Sequence, residues 1–294
     1  MSFPYLGENK VLDEMTRKEA GSGAFISLSA GVTHYELDGP ENGDLVVLVH
    51  GFSVPYFIFD PTFEFLTKAG FRVLRYDLFG RGWSDRPRVK YDIHLFVQQL
   101  AELLDAFQLR QTSLLGLSTG GPITAAFIDQ RPEWVSRHIL IDPIGAIALK
   151  LPRILEAMKM PAIGELGLGL FGRESLAKSS ASDLFDPQMV EVFQSKFSVQ
   201  MQFRGFIRAI LSTMRNGMLD SFYETYERVG KLGKPTLLIW GRDDITVPFE
   251  HGEKIRMAIP HAEFHAIDNC GHIPHFEKPQ IVNPILKRFL KANA

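Results

Sequence analysis

Two hundred and ninety-four residues exceed the ~100 to 200 of one ordinary domain, so the expectation is one α/β core carrying an insertion. With 45% hydrophobic and 22% charged residues the chain can bury a sizeable core, which excludes a disordered or low-complexity scaffold. Lys plus Arg at 32 against Asp plus Glu at 34 leaves a net charge of -2, which supplies no electrostatic reason to bind nucleic acid or an anionic membrane; a small-molecule partner is expected.

Cys270 is the single cysteine, so an internal disulfide and a thiolate metal cage are both excluded. The first twenty residues lack the charged start and apolar run of a leader, and no uninterrupted apolar stretch approaches the ~18 to 20 residues needed to span a bilayer. A cytoplasmic protein without a membrane span is the expectation.

In chain order, residues 1–24 mix acidic and basic side chains and read as a surface helix or a tail. From Phe25 the pattern turns to strand: AFISLS and VTHYEL flank Ala30-Gly31 as a hairpin, and LVVLVHG follows the Gly39-Pro40 and Asn42-Gly43 breakers. FRVLRYD, TSLLGL, RHILID and PTLLIWG are short apolar runs of the kind buried on both faces of a parallel sheet. Between them LFVQQLAELLDAF places Phe96, Val97, Leu100, Leu103, Leu104 and Phe107 on one helical stripe. Strand alternating with helix gives an α/β fold.

The alternation stops between Asp142 and Lys234, where residues 144–229 read as helices joined by Gly, Pro and Ser. This divides the chain into an N-terminal segment (1–24), a core (25–143 and 230–294) and a helical cap (144–229). After PTLLIWG a helix is expected near Glu250 to Ala258, a strand at AEFHAI, and a closing helix whose start Pro279 and Pro284 leave open.

Gly116-Leu117-Ser118-Thr119-Gly120 fits G-x-S-x-G between a strand and a helix. The small flanking residues permit a sharp elbow that lifts the Ser118 hydroxyl above the strand end. A serine hydroxyl needs a base to take its proton during attack. His272, in the loop after the last strand, is the first candidate and His275 the second. A carboxylate must fix that base, and Asp243, Asp244 and Asp142 all stand at strand ends where they could serve. The oxyanion needs preformed donors, for which the backbone amides of Phe52, in His50-Gly51-Phe52, and Thr119 are placed.

Taken together these motifs resemble the α/β-hydrolase superfamily, in its cap-bearing serine esterase-like branch, from about Phe25 onward. By that resemblance Asp77 to Ser84 is similar to the family's D-L-x-G-x-G-x-S turn, Gly241, Asp244 and Pro248 match G-x-x-D-x-x-x-P, and Gly271-His272 with Glu277 and Pro279 matches G-H-x-x-x-x-E-x-P. The resemblance implies an α/β-hydrolase fold, a mostly parallel sheet flanked by helices, with a Ser118, Asp244, His272 triad and no cofactor or metal. Serine at the elbow argues against haloalkane dehalogenases and epoxide hydrolases, which carry aspartate there. The G-G-S-W-G of proline iminopeptidases is missing, and Ile273 stands where carbon-carbon bond hydrolases of the meta-cleavage type usually have tryptophan. Carboxylic ester hydrolysis is therefore expected first; acyl transfer or perhydrolysis, carbon-carbon hydrolysis and low-turnover ligand binding are the alternatives. The apolar stretch Met158 to Phe171 suggests a substrate pocket, with Met158, Met160, Leu168 and Phe171 as its walls and an ester with an apolar acyl group as ligand.

Overall fold

The computed structural model describes residue 5, residues 7–181 and residues 183–292, leaving aside the side chains of residues 171, 173–175 and 178–181. The apolar runs form β1 (Ala24–Leu28), β2 (Gly31–Asp38), β3 (Leu45–Val49), β4 (Arg72–Tyr76), β5 (Thr112–Leu117), β6 (Val135–Ile141), β7 (Thr236–Gly241) and β8 (Glu263–Ile267). They join in one eight-stranded sheet of order β1-β2-β4-β3-β5-β6-β7-β8. The β1-β2 hairpin and the β2-β4 pair are antiparallel; all remaining pairs are parallel.

The helices are α1 (Glu14–Arg17), α2 (Asp60–Lys68), α3 (Ile93–Ala106), α4 (Gly120–Gln130), α5 (Arg153–Met158), α6 (Ile163–Ala181), α7 (Val190–Gln200), α8 (Phe206–Arg215), α9 (Tyr223–Lys231), α10 (Glu250–Ala258), α11 (Pro274–Glu277) and α12 (Pro279–Lys291). Helices cross over between the parallel strands, so Val46 to Val49 of β3 and Leu237 to Trp240 of β7 are sealed from solvent on both faces. The stripe read in α3 is its buried face, from Leu95 to Leu104, and Asp92 starts the helix by accepting the Leu95 amide.

Helices α5 to α9 lie in the connection between β6 and β7. Of the N-terminal segment, Glu14–Arg17 forms a short helix with no buried residue, and residues 8 to 10 are held by hydrogen bonds. The backbone of Lys10 donates to Gln202 and accepts from Arg204, both at 2.9 Å, and the Glu8 carboxylate accepts the Gly205 and Ile207 amides at 2.6 Å, at the open start of α8. This strap ties residues 8 to 10 to the helical connection. At the other end, α12 begins at Pro279, where a missing N–H costs nothing, and carries Pro284 inside it because Val282, Leu286, Phe289 and Leu290 bury one continuous face.

Backbones approach closely where β3, β5 and α4 meet. A Cβ on Gly120 would stand 2.2 Å from the Val49 carbonyl oxygen, and one on Gly116 would stand 2.4 Å from that of Gly120. Neither neighbour is a side chain that can swing away. We expect Gly120→Ala to destabilise the fold by about 3 kcal/mol, the upper end of overpacking costs. Gly70, at φ +90 with nothing within 4 Å of its would-be Cβ, should cost only the ~1 to 2 kcal/mol of left-handed backbone when changed to Ala. Urea unfolding of the two variants measures the difference.

Candidate active site

Ser118 follows β5 and precedes α4 with φ +52, in the left-handed region that a serine rarely occupies. Its amide donates to the Ile141 carbonyl at 3.0 Å, and its carbonyl accepts from Gly121 at 3.0 Å and Ile144 at 3.2 Å. These bonds fix the strained turn. Gly51 lies against it, for a Cβ there would come within 3.0 Å of the Ser118 Cβ.

The loop after β3 is held from two sides. His50 is fully buried: its Nε2 accepts the Leu78 amide at 2.9 Å, so Nδ1 carries the hydrogen and donates to the Gly51 carbonyl at 2.9 Å. Burial lowers its pKa to about 4, outweighing the Asp77 charge, so this clamp stays neutral. Fixing the Gly51 carbonyl turns the Phe52 N–H of the same peptide unit the opposite way. The next carbonyl, of Phe52, accepts from Arg81 Nε at 2.7 Å, and the same guanidinium reaches Thr213 Oγ1 of α8 at 2.9 Å. Among the described residues neither the Phe52 nor the Thr119 amide is spent on a protein acceptor.

His272 lies across the sheet edge from this loop. Its Nδ1 donates to Asp244 Oδ2 at 2.7 Å, and the other oxygen of Asp244 accepts the Thr246 and Val247 amides at 2.8 and 2.9 Å. A carboxylate so bound fixes the Nδ1–H tautomer and leaves Nε2 as the basic nitrogen. Burial opposes a charge on His272, but the Asp244 charge and hydrogen bond, with Asp183 and Glu277 nearby, raise its pKa to about 9. Glu277 holds the loop, accepting Gly271 N at 2.9 Å through one oxygen and the Phe185 and Asp186 amides at 2.6 and 3.1 Å through the other.

Of the three acids left open by the residues, His272 meets Asp244. Asp142 lies beside it: atoms of Asp142, Asp244 and His272 fall within 4.8 Å of one another. Asp142 Oδ1 accepts the Gly241 amide at 2.9 Å, while Oδ2 is buried without a partner. Burial, then the adjacent Asp244 charge, push its pKa well up and so favour its protonated form. With the Asp244 oxygens and His272 Nδ1 already hydrogen-bonded, the trio suits orienting a base better than gathering round a cation. His275 is fully buried against the Phe59 ring, 4.9 Å between centroids, and burial lowers its pKa to about 3.

Ser118, His272, Phe52 and Thr119 line one cavity of about 220 Å³. Met158 and Leu168 are in its wall, joined by Ile210 and Met214 of α8. Met160 is not: it ends the turn after α5 pointing outward, 56% exposed, because the inward position at that turn is taken by Met158. The Phe171 side chain lies outside the described residues. Asp183, which sequence reasoning passed over, enters the wall from the end of α6; its carbonyl accepts the His272 amide at 2.9 Å and its carboxylate the Thr246 hydroxyl at 2.7 Å. His50, Arg81 and Asp183 each act through a nonlocal contact; His50-Gly51 and the Asp77 to Ser84 turn that contains Arg81 stood out as local motifs, whereas Asp183 lies in none.

A family model for the alpha/beta hydrolase fold matches residues 44–279. The chain belongs to the alpha/beta hydrolase family. It is 28% identical over 288 residues to a 2-hydroxy-6-oxononadienedioate/2-hydroxy-6-oxononatrienedioate hydrolase of Cupriavidus pinatubonensis, covering 92% of this chain and 96% of that one. Among solved structures, a mutant of the meta-cleavage product hydrolase CumD from Pseudomonas fluorescens IP01, complexed with acetates, is 25% identical, with a TM-score of 0.73 over 91% of this chain and 97% of that one. The enol-lactonase from Burkholderia xenovorans LB400 is 20% identical with a TM-score of 0.79, over 92% and 100%, a likeness of fold. Among the described residues of this alpha/beta hydrolase no helix is long and apolar enough to cross a membrane.

Two outcomes are expected. Asp244→Asn should cost ~10^4 in turnover, the scale of losing an orienting carboxylate. Asp142→Asn should stay within about tenfold of the parent, because burial and the Asp244 charge already favour the protonated acid that an amide resembles. Steady-state rates of both variants decide this. For pH, His272 accepts a proton only when neutral, so kcat/KM should climb toward pH 9, and the residual activity of Asp244→Asn should climb at lower pH. Stability runs the other way: a histidine pKa raised on folding contributes fully below about 6.5, its unfolded value, and that contribution is lost as pH rises through about 9. A pH-rate profile beside chemical unfolding at matched pH reads both.

Proposed function

We propose that this hydrolase cleaves carboxylic esters through an acyl-enzyme on Ser118. His272 takes the hydroxyl proton as Ser118 attacks the carbonyl carbon, then returns it to the departing alcohol; water, activated by the same nitrogen, releases the acid. Asp244 orients His272 and stabilises its cationic form. The amides of Phe52 and Thr119 receive the oxyanion. Residues 144–229 act as the cap that walls the acyl site.

One observation carries the choice of substrate. The cavity is walled by Leu, Ile, Met, Val and Phe side chains, and among its described lining residues there is no Lys or Arg; Asp183 and His272 are the only ionisable groups. A neutral apolar acyl group suits such a wall. A second reading, carbon-carbon hydrolysis with the same three residues, draws support from the relatives of that activity. It meets a physical difficulty here, because a dioate carries two carboxylates and a site for it needs cationic partners to offset their desolvation.

The test is kcat/KM across aryl esters from acetate to palmitate, beside a dienedioate substrate. In a cavity of about 220 Å³ each added methylene should raise specificity about fourfold, from ~0.8 kcal/mol of burial, until the site fills at roughly four to eight carbons. Ser118→Ala should lower ester turnover by ~10^6 while keeping the fold. A dienedioate turned over faster than any ester would replace the ester reading with the carbon-carbon one.

A further inference from the structure

Helices α5 and α6 are apolar on both sides. Inward, Leu155 and Met158 of α5 and Leu168 of α6 line the Ser118 cavity. Outward, Ile163, Leu166 and Leu170 of α6 stand 47%, 55% and 52% exposed at spacings of three and four residues, one stripe on the side of the helix away from Leu168. Ile154 of α5, 68% exposed, and Met160 in the turn between the helices, 56% exposed, are further large apolar side chains in water on the same stretch of chain. A cluster of large apolar side chains in water marks a surface that something covers.

Charge on this face selects the cover. Glu156 pairs with Lys159, and Glu165 with Arg215. Lys150 and Arg153, exposed at the entry to α5, meet no carboxylate among the described residues. Among the described residues the uncompensated charge at these helices is therefore positive, although the chain as a whole carries -2. A two-fold contact between copies would bring these uncompensated like charges together with the stripes. An anionic lipid surface satisfies both features at once, taking the apolar side chains among its acyl chains and the two cations at its headgroups.

We propose that the outer face of α5 and α6 docks on an anionic lipid–water interface. Docking would set the outer side of the cavity wall on the phase into which apolar esters partition. The surface itself does not depend on which bond is cleaved at Ser118.

Sedimentation of the full chain with vesicles tests it, using phosphatidylcholine alone and phosphatidylcholine with about a third phosphatidylglycerol. The parent should bind the phosphatidylglycerol vesicles at low salt and release at high salt. Leu166→Glu/Leu170→Glu and Lys150→Glu/Arg153→Glu should each weaken binding about tenfold or more. Both pairs lie outside the cavity wall, so both variants should hydrolyse a short monomeric aryl ester at the parent rate, and thermal unfolding checks the fold; should the leucine pair fail to fold, the cation pair carries the test. Absence of binding by the parent, or binding that survives both double substitutions, overturns the proposal. So does a parent dimer in sedimentation velocity that Leu166→Glu/Leu170→Glu dissociates, which would make the cover a second copy. Vesicle binding is read without substrate, so its failure leaves the ester reading standing, and a failed ester panel leaves the docking surface standing.

Discussion

The contact between the Gly120 backbone and the carbonyl that ends β3 is the constraint on which the site depends. Only a residue without a Cβ lets α4 start this close to the sheet, and only that start forces Ser118 into its left-handed turn. The same proximity brings the loop after β3 beside Ser118, so that the serine and the Phe52 and Thr119 amides share one cavity. The strain of the turn, ~1 to 2 kcal/mol, is borne by the bonds that Ile141, Gly121 and Ile144 make to the Ser118 backbone.

Around that turn the protein separates charges by burial. Asp142 and Asp244 stand together at adjacent strand ends, where two ionised carboxylates would repel. Burial raises Asp142, while Asp244 accepts two amides and the His272 ring. His50 is kept neutral by burial and serves as a rigid hydrogen-bonding link. Arg81, also fully buried, ties the Phe52 carbonyl to Thr213 of α8 and so couples the loop beside Ser118 to the helical connection. Glu277 makes the matching link on the His272 side, through Phe185 and Asp186.

The helical connection thus touches both halves of the site and supplies much of the cavity wall. In this chain α5, α6 and α8 contribute Leu155, Met158, Leu168, Ile210 and Met214 to that wall. The N-terminal strap bears on the same question, because Glu8 satisfies the amides at the start of α8, the helix that presents Ile210 and Met214 to the cavity.

By itself the sequence determined the order of strands and helices, the elbow at Ser118 and the histidine loop, because each is written in local pattern: apolar runs of strand length, glycines where backbones touch, and a polar residue at a strand end. It left Asp142, Asp243 and Asp244 equivalent as strand-end acids until a family resemblance chose among them. Tertiary structure brought His272 to Asp244 and pushed the Asp142 pKa up, through its burial and a neighbouring charge more than a hundred residues away. It also turned Met160 outward and Met158 inward and drew Asp183 into the wall. An apolar run such as Met158 to Phe171 states that a helix is sticky, but not which side faces the substrate, because that depends on how the helix is rotated against partners distant in the chain.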